Sequence, residues 1–260
     1  MLLILFCLMR SLRLSKPLSM EKKFTVKRKK VNNNFIKLPR GTFLMGSGDG
    51  SFREKEKPLH EVSIEYDVAL CKTQVTVEEY MLYCEATGAE VPTDKHIHLG
   101  MDVPVRRVSW IDARNYCKWK SEREGVTYRL PTESEWEYAC RAGSHSKFCF
   151  GDDENLLGDY AWYKENSSKV THNVASKKAN SWGFYDMHGN VWEWCLDNYS
   201  ENYVGVASDG SAYKIASDKG MVLRGGAWSG QAENNRSASR INLGATSRNY
   251  FVGFRVLIEL

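Results

Sequence analysis

The chain has little of what most enzymes gather at their centres. Its seven cysteines (Cys7, Cys71, Cys84, Cys117, Cys140, Cys149 and Cys195) include no C-x-x-C pair, so a zinc site or redox dithiol has no local support. The odd number argues against a fully paired disulfide framework. Cys84 follows Tyr80 by one helical turn, as Cys117 follows Ala113, which predicts buried free thiols. His60, His145, His172 and His188 form no metal-spaced pair, and His96-x-His98 alone is a weak signal. No apolar run is long enough to span a membrane. Residues 2–9 (LLILFCLM) precede Arg10, Arg13 and Lys16, whereas a secretory signal carries its charge first and a small-residue cleavage site after. Phe6 before Cys7 does not suit a lipoprotein cleavage site either. The expectation is a chain with no export signal, located in the cytoplasm, with Met20 as an alternative start.

The net charge of +4 is mild and comes largely from Lys22-Lys23 and Lys27-Arg28-Lys29-Lys30. With no RNA- or DNA-binding signature beside it, this run reads as a solvated tail, and no nucleic-acid partner is expected. The 42% apolar and 26% charged fractions are those of a soluble globular protein. Eight Trp, thirteen Tyr and ten Phe make the chain rich in residues that serve both cores and recognition surfaces.

Residues 1–34 are expected to be a basic tail and 35–260 one domain without internal repeats. Phe35–Leu38 and Gly41–Gly46 predict a strand entering a Gly/Ser turn, and Val62–Leu70 a second strand. Thr76-Val77-Glu78-Glu79 is a capping box that opens a helix to about Ala86, with Gly88 beyond it. Ser109-Trp110-Ile111-Asp112 opens another to about Arg123, stopped by Gly125. Pro131-Thr132-Glu133-Ser134-Glu135 opens a short third helix, ended near Gly143. After Phe150 the chain becomes rich in Gly, Asn, Asp and Ser punctuated by aromatics, without clean periodicity. Such a region needs something extra to hold it, such as a bound ion. Val222–Trp228 and Val252–Glu259 are strand-like again.

Between those last runs, residues 223–256 alternate a fixed frame with a mixed filling. The frame is Arg224-Gly225-Gly226, Trp228, Arg236, Arg240, Arg248 and Gly253-Phe254-Arg255. Arg236, Arg240 and Arg248 could bind anions, but at regular places in the frame they read as struts holding loop carbonyls. Apart from Glu233 the segment carries no cysteine, histidine or carboxylate, so it reads as a display surface. Tyr, Ser and Gly are the residues of adaptable binding loops. Tyr250, Phe251, Ile241 and Leu243 form an apolar anchor cluster if they face outward. Val252 and Phe254 alternate with Gly253 and Arg255, so part of that strand packs inward.

Four blocks occur in order: Pro39–Gly46, Arg129–Ser144, Gly183–Trp194, and Arg224–Trp228 with Gly253-Phe254-Arg255. Together they resemble the formylglycine-generating-enzyme, or sulfatase-modifying factor, family over roughly 35–258. The resemblance implies an α+β fold of C-type-lectin-like type with low regular secondary structure and long loops. The family's oxidases hold Cu(I) on two cysteines in the pattern W-x-C-x-x-x-x-C, soft ligands for a soft ion. Counting from Trp228, those places are Gly230 and Asn235, so copper is not expected. The H-x-x-x-H-x-E iron motif of the sulfoxide-synthase relatives is absent as well. The carboxy-terminal frame is similar to that of diversity-generating retroelement variable proteins, in which adenine-directed mutagenesis scatters Asn codons. Ser229, Gly230, Ser239, Ile241, Leu243, Ser247, Tyr250 and Phe251 all arise from an Asn codon in that way, and Asn242 and Asn249 read as unmutated. Gln231 departs from the pattern if its template codon ends in a pyrimidine.

The resemblance therefore implies a non-enzymatic protein that binds a protein or cell-surface ligand through 229–251. The ligand-contacting candidates are Trp228, Ser229, Gly230, Gln231, Ser239, Ile241, Leu243, Ser247, Tyr250 and Phe251. The alternatives are a divergent oxidase acting on a sulfatase cysteine, or an inactive paralogue that binds such a peptide. The resemblance also implies a structural calcium ion on Asp186, Gly189, Val191 and Glu193, with carboxylates at the first and eighth positions and carbonyls between them. The family's other calcium site falls near Asp159–Trp162, where no ligand set matches. His188 reads as a packing residue beside the loop.

Overall fold

In the computed structural model, residues 33–48, 53–92, 100–215 and 219–260 are described. The tail expected over 1–34 therefore falls almost wholly outside the described residues, as do His96 and His98.

The three helices begin where the capping residues place them. They are α1 (Val77–Thr87), α2 (Trp110–Glu124) and α3 (Glu133–Arg141). Thr76, Ser109 and Thr132 each accept the N3 backbone N–H, and Glu79, Asp112 and Glu135 reach back to the cap. Each box satisfies two donors that a helix end otherwise leaves orphaned, worth ~1 kcal/mol apiece. Gly88 and Gly125 close α1 and α2 in the left-handed region. On α1 the buried residues are Tyr80, Tyr83 and Cys84; on α2 they are Ala113, Tyr116 and Cys117. The i, i+3, i+4 spacing turns one stripe of each helix inward, where Tyr80 stacks on Tyr116 with ring centroids 5.7 Å apart. Both thiols are buried and free, as their spacing predicts.

Three sheets surround them. The first takes the order β1 (Phe35–Lys37), β4 (Val68–Cys71), β10 (Leu257–Glu259) and β5 (Tyr128–Arg129). The second pairs β2 (Gly41–Met45) with β3 (His60–Ile64). The third runs β8 (Arg240–Leu243), β7 (Met221–Arg224), β6 (Trp192–Asn198) and β9 (Val252–Gly253). Successive strand residues point to opposite faces. Trp194 and Leu223 thus join the core under α1 and α2, while Cys195 and Val222 join a second core around α3 and β2–β3. Val256 and Ile258 divide from Leu257 in the same way.

The strand expected over Val62–Leu70 is in fact two. β3 pairs with β2, and β4 pairs with β1 and β10. The corner between them is held by Asp67, whose carboxylate binds Lys37 and Arg40 and whose carbonyl accepts Leu260 N–H. The run Val222–Trp228 ends as a strand at Arg224, because Gly225 and Gly226 take φ of 99° and 74°. Val252–Glu259 splits into β9 and β10. From Phe148 to Val191 the regular structure consists of a 3-10 turn and the short α4 (Leu157–Tyr160). The aromatic loop region is thus as irregular as its composition predicts. Among the described residues, no helix is long and apolar enough to cross a membrane.

Candidate functional site

α3 has both faces buried, carboxylates included, and this helix fixes the frame of the carboxy-terminal segment. Glu133 and Glu137 lie one turn apart on it. Arg224 and Arg240 are cross-strand partners on β7 and β8, so their side chains emerge side by side. Arg240 binds Glu133 in bidentate fashion at 2.7 Å through both nitrogens, and Arg224 binds Glu137. The spare guanidinium hydrogens hold carbonyls. Arg224 donates to Ser237, Ala238 and Ser239; Arg240 donates to Lys55 and Ser200. Arg236 grips Glu56 at 2.8 and 2.9 Å and donates to the Glu233 carbonyl. Arg255 pairs with Glu193 at 2.6 and 2.8 Å and holds the carbonyls of Cys71, Lys72 and Tyr185. Arg248 differs: it lies at the surface, bidentate to Asp112 and 2.8 Å from Glu90. Arg236 and Arg240 are thus the carbonyl-holding struts that the sequence predicts, Arg224 and Arg255 act in the same way, and Arg248, expected to do so, braces α2 instead.

Over this frame the two ends of the segment meet. Trp228 Nε1 lies 3.4 Å from the Tyr250 carbonyl, and the Arg107 guanidinium sits 4.8 Å from the centre of the Tyr250 ring. Ser229 and Gln231 are exposed; Trp228, Gly230, Ile241, Leu243, Ser247 and Phe251 are half-buried. Tyr250 is 47% exposed. Ile241, Leu243, Phe251 and Trp228 rest their inner sides on the core beneath α2. One candidate does not belong with the others. Ser239 is 1% exposed, and its carbonyl is clamped by Arg224. It lies one residue before Arg240, on the buried approach to β8, and sequence spacing alone could not separate it from the open positions.

Gly230 and Asn235, at the two cysteine places, lie close together. Asn235 is buried and its Nδ2 donates to the Gln231 carbonyl at 3.0 Å. A Cβ at Gly226 would strike the Asn235 side chain, which accounts for glycine there. Beneath it, His188 Nδ1 is 2.8 Å from the Asn235 carbonyl, and Cys149 N–H donates to Nε2 at 3.1 Å. Burial lowers the His188 pKa to about 4, so the imidazole is neutral. It packs on the rings of Phe148 and Phe150, as a packing residue should. Cys140 and Cys149 adjoin it; burial raises both thiols, Cys149 to about 12, so neither is a thiolate near neutrality. Cys195 lies in the core within β6. A cleft of about 560 Å³ opens beside this turn, lined in part by Arg53, Arg141, Lys147, Glu233 and Arg236. Its charges are met by carboxylates in and behind its wall: Arg53 pairs with Glu233 at 2.5 Å, Lys147 with Glu154 at 3.6 Å, Arg141 with Glu137 and Arg236 with Glu56.

The proposed ion ligands also converge, on a group that sequence reasoning missed. Gln74 Nε2 lies 2.9 Å from Glu193 Oε1, 3.2 Å from the carbonyls of Gly189 and Val191, and 3.5 Å from that of Asp186. The Asp186 carboxylate accepts Ala175 N–H through Oδ2. Burial raises its pKa to about 6. The oxygens suit a hard cation, but an N–H₂ group stands at their centre, so with Gln74 in place the residues do not fit an ion. Near the second expected site, Asp159 pairs with Lys178 at 2.9 Å.

The sulfatase-modifying factor enzyme 1-like domain matches residues 21–260. The chain belongs to that family. It is 30% identical to serine/threonine-protein kinase pkn1 of Chlamydia caviae over 90% of its own length, but spans only 39% of that relative. It is 27% identical to inactive C-alpha-formylglycine-generating enzyme 2 of Bos taurus, covering 85% of this chain and 87% of that one. Among solved structures, PvdO from Pseudomonas aeruginosa superposes with a TM-score of 0.82 at 33% identity, covering 87% of this chain and 94% of PvdO. Treponema denticola variable protein 1 superposes at 0.75 with 26% identity, covering 87% and 95%. The fold is therefore the formylglycine-generating-enzyme form of the C-type-lectin-like fold, as the sequence blocks imply.

Proposed function

We propose that this protein is a non-enzymatic binding protein. It displays a variable surface at 229–251 on a family scaffold, in the manner of diversity-generating retroelement variable proteins. Its ligand is a protein or a cell-surface group. The observation that carries this reading is the pairing of Gly230 and Asn235, which offer no thiolate at the two cysteine places, with a frame whose arginines are spent on structure. A frame closed by buried ion pairs tolerates change at the half-open positions, because those side chains carry little of the fold. Trp228 and Tyr250 give the centre of the face rigid aromatic area, and Ser229, Gly230 and Ser247 give it adaptable contacts. The likeness to Treponema denticola variable protein 1 supports the reading at the level of fold. The divergent-oxidase alternative lacks a sulfur pair at the expected places.

The deciding experiment is to sequence the DNA flanking the gene. A near-copy of the segment encoding 223–256, differing at adenines and lying beside a reverse transcriptase, is expected. Absence of any such copy from the whole genome would refute the retroelement origin. Incubation with a Cys-x-Pro-x-Arg peptide, copper and oxygen should leave the peptide mass unchanged. Turnover would return the chain to the oxidases, and binding without turnover would favour an inactive peptide-binding paralogue.

A further inference from the structure

The cage at the start of β6 is assembled from the segment before α1 and from a loop far along the chain. Asp186 and Asn190 take φ of 59° and 68°, a winding that helps turn the carbonyls of Asp186, Gly189 and Val191 toward one point. The loop is held by bonds of its own. Asn190 N–H donates to the Trp162 carbonyl at 2.8 Å, the Asn190 side chain bridges to the His172 backbone, and a Cβ at Gly189 would strike the Trp162 carbonyl. At the focus is the side-chain amide of Gln74, a residue with no solvent exposure.

We propose that the Gln74 amide permanently takes the place of a divalent cation, so that the aromatic loop region is pinned without calcium. The orientation of the amide supports this. Acceptors surrounding a point with no cation draw the N–H₂ inward and turn Oε1 away, and Gln74 Oε1 has no hydrogen-bond partner. A bound cation would demand the reverse, with Oε1 facing the ion. The charge balance agrees. Glu193 already holds the Arg255 guanidinium through both oxygens and accepts Trp136 Nε1–H at 2.7 Å, so its charge is met from within the chain. The exchange has a cost, since Asp186 Oδ1 is also buried without a partner. That cost makes the test sharp.

The full chain is purified without chelator, its metal content measured by mass spectrometry, and its melting followed in EGTA and in millimolar calcium. The expected result is no stoichiometric calcium and the same melting temperature in both buffers. Calcium near one per chain, or a fall of roughly 5 °C in EGTA, would overturn the proposal. Gln74→Ala vacates the cage. It should melt lower by roughly 5 °C or more, and calcium, but not magnesium, should recover part of the loss. Equal melting of that variant in EGTA and calcium would also count against the amide standing in for an ion. If Gln74→Ala does not fold, Gln74→Glu replaces the donor by a third carboxylate. It should then be stable only with calcium, and indifference to calcium would overturn the proposal.

Discussion

On one side of the β7–β8 ribbon, Arg224 and Arg240 are buried against Glu137 and Glu133 of α3. On the other, Ile241 and Leu243 are half-buried, and the chain beyond them leads to Tyr250, 47% open to solvent. The two sides come from the same few residues, one position apart. Buried charges must be paired and have their remaining hydrogens satisfied, and this fixes both partners and geometry. Half-exposed side chains meet no such demand. The same short stretch therefore joins residues fixed by buried ion pairs to residues half-open at the margin of the core beside Leu223, and only the latter leave room for the variation that a binding surface requires.

The comparison breaks first at Arg240. Arg240→Met leaves Glu133 with the Tyr203 hydroxyl and a more distant Arg224, so urea unfolding should show a loss of about 3–5 kcal/mol. A loss below about 1 kcal/mol would mean that the pair is not a strut.

His188, beneath the display turn, sharpens the comparison through pH. Its pKa is lowered by burial to about 4, whereas in the unfolded chain it titrates near 6.5. The unfolded chain therefore takes up the proton first. The stability that the neutral imidazole contributes is complete above pH 6.5 and is lost as pH falls toward 4, by ~3 kcal/mol in all. Asp197 and Asp186, raised by burial to about 7 and about 6, run the other way and favour the fold as pH falls. The difference between wild type and His188→Phe isolates the histidine. The variant should be the less stable at pH 7, and the gap should narrow by ~3 kcal/mol by pH 4. A constant gap would mean that His188 titrates alike in the folded and the unfolded chain.

Arg248 sits on the open side and its side chain is 43% exposed. Arg248→Ala should cost no more than about 1 kcal/mol, and less at high salt. The smallest effects belong to the face itself. Tyr250→Ser and Ser229→Tyr should each leave the unfolding free energy within about 0.5 kcal/mol of wild type. Losses of 2 kcal/mol or more, on the order expected for core positions, would show the face to be part of the core.

The helix starts were legible because a capping box is local: cap and partner lie three residues apart, and each satisfies the other. The carboxy-terminal frame was legible because its arginines and glycines recur at fixed places. The partners of those arginines were not. Glu133, Glu137, Glu56 and Glu193 lie on other elements, and nothing near them in the chain marks which guanidinium they will meet. The break between β3 and β4 was hidden for a similar reason. The apolar alternation of Val62–Leu70 runs on through the corner, and only the attachment of Asp67 to Lys37, Arg40 and Leu260 divides it. Ser239 looked like its neighbours because polarity does not say which side of a strand is covered. Gln74 gave no signal, being an ordinary polar residue just before a helix cap.

Local chemistry alone decided where the helices start and that sulfur is missing at 230 and 235, since each depends on residues a few places apart. Tertiary structure decided which carboxylate neutralises each arginine, which residues of β8 are covered, and what fills the oxygen cage at β6. Those outcomes depend on burial, and burial exists only once segments distant in sequence have closed on one another.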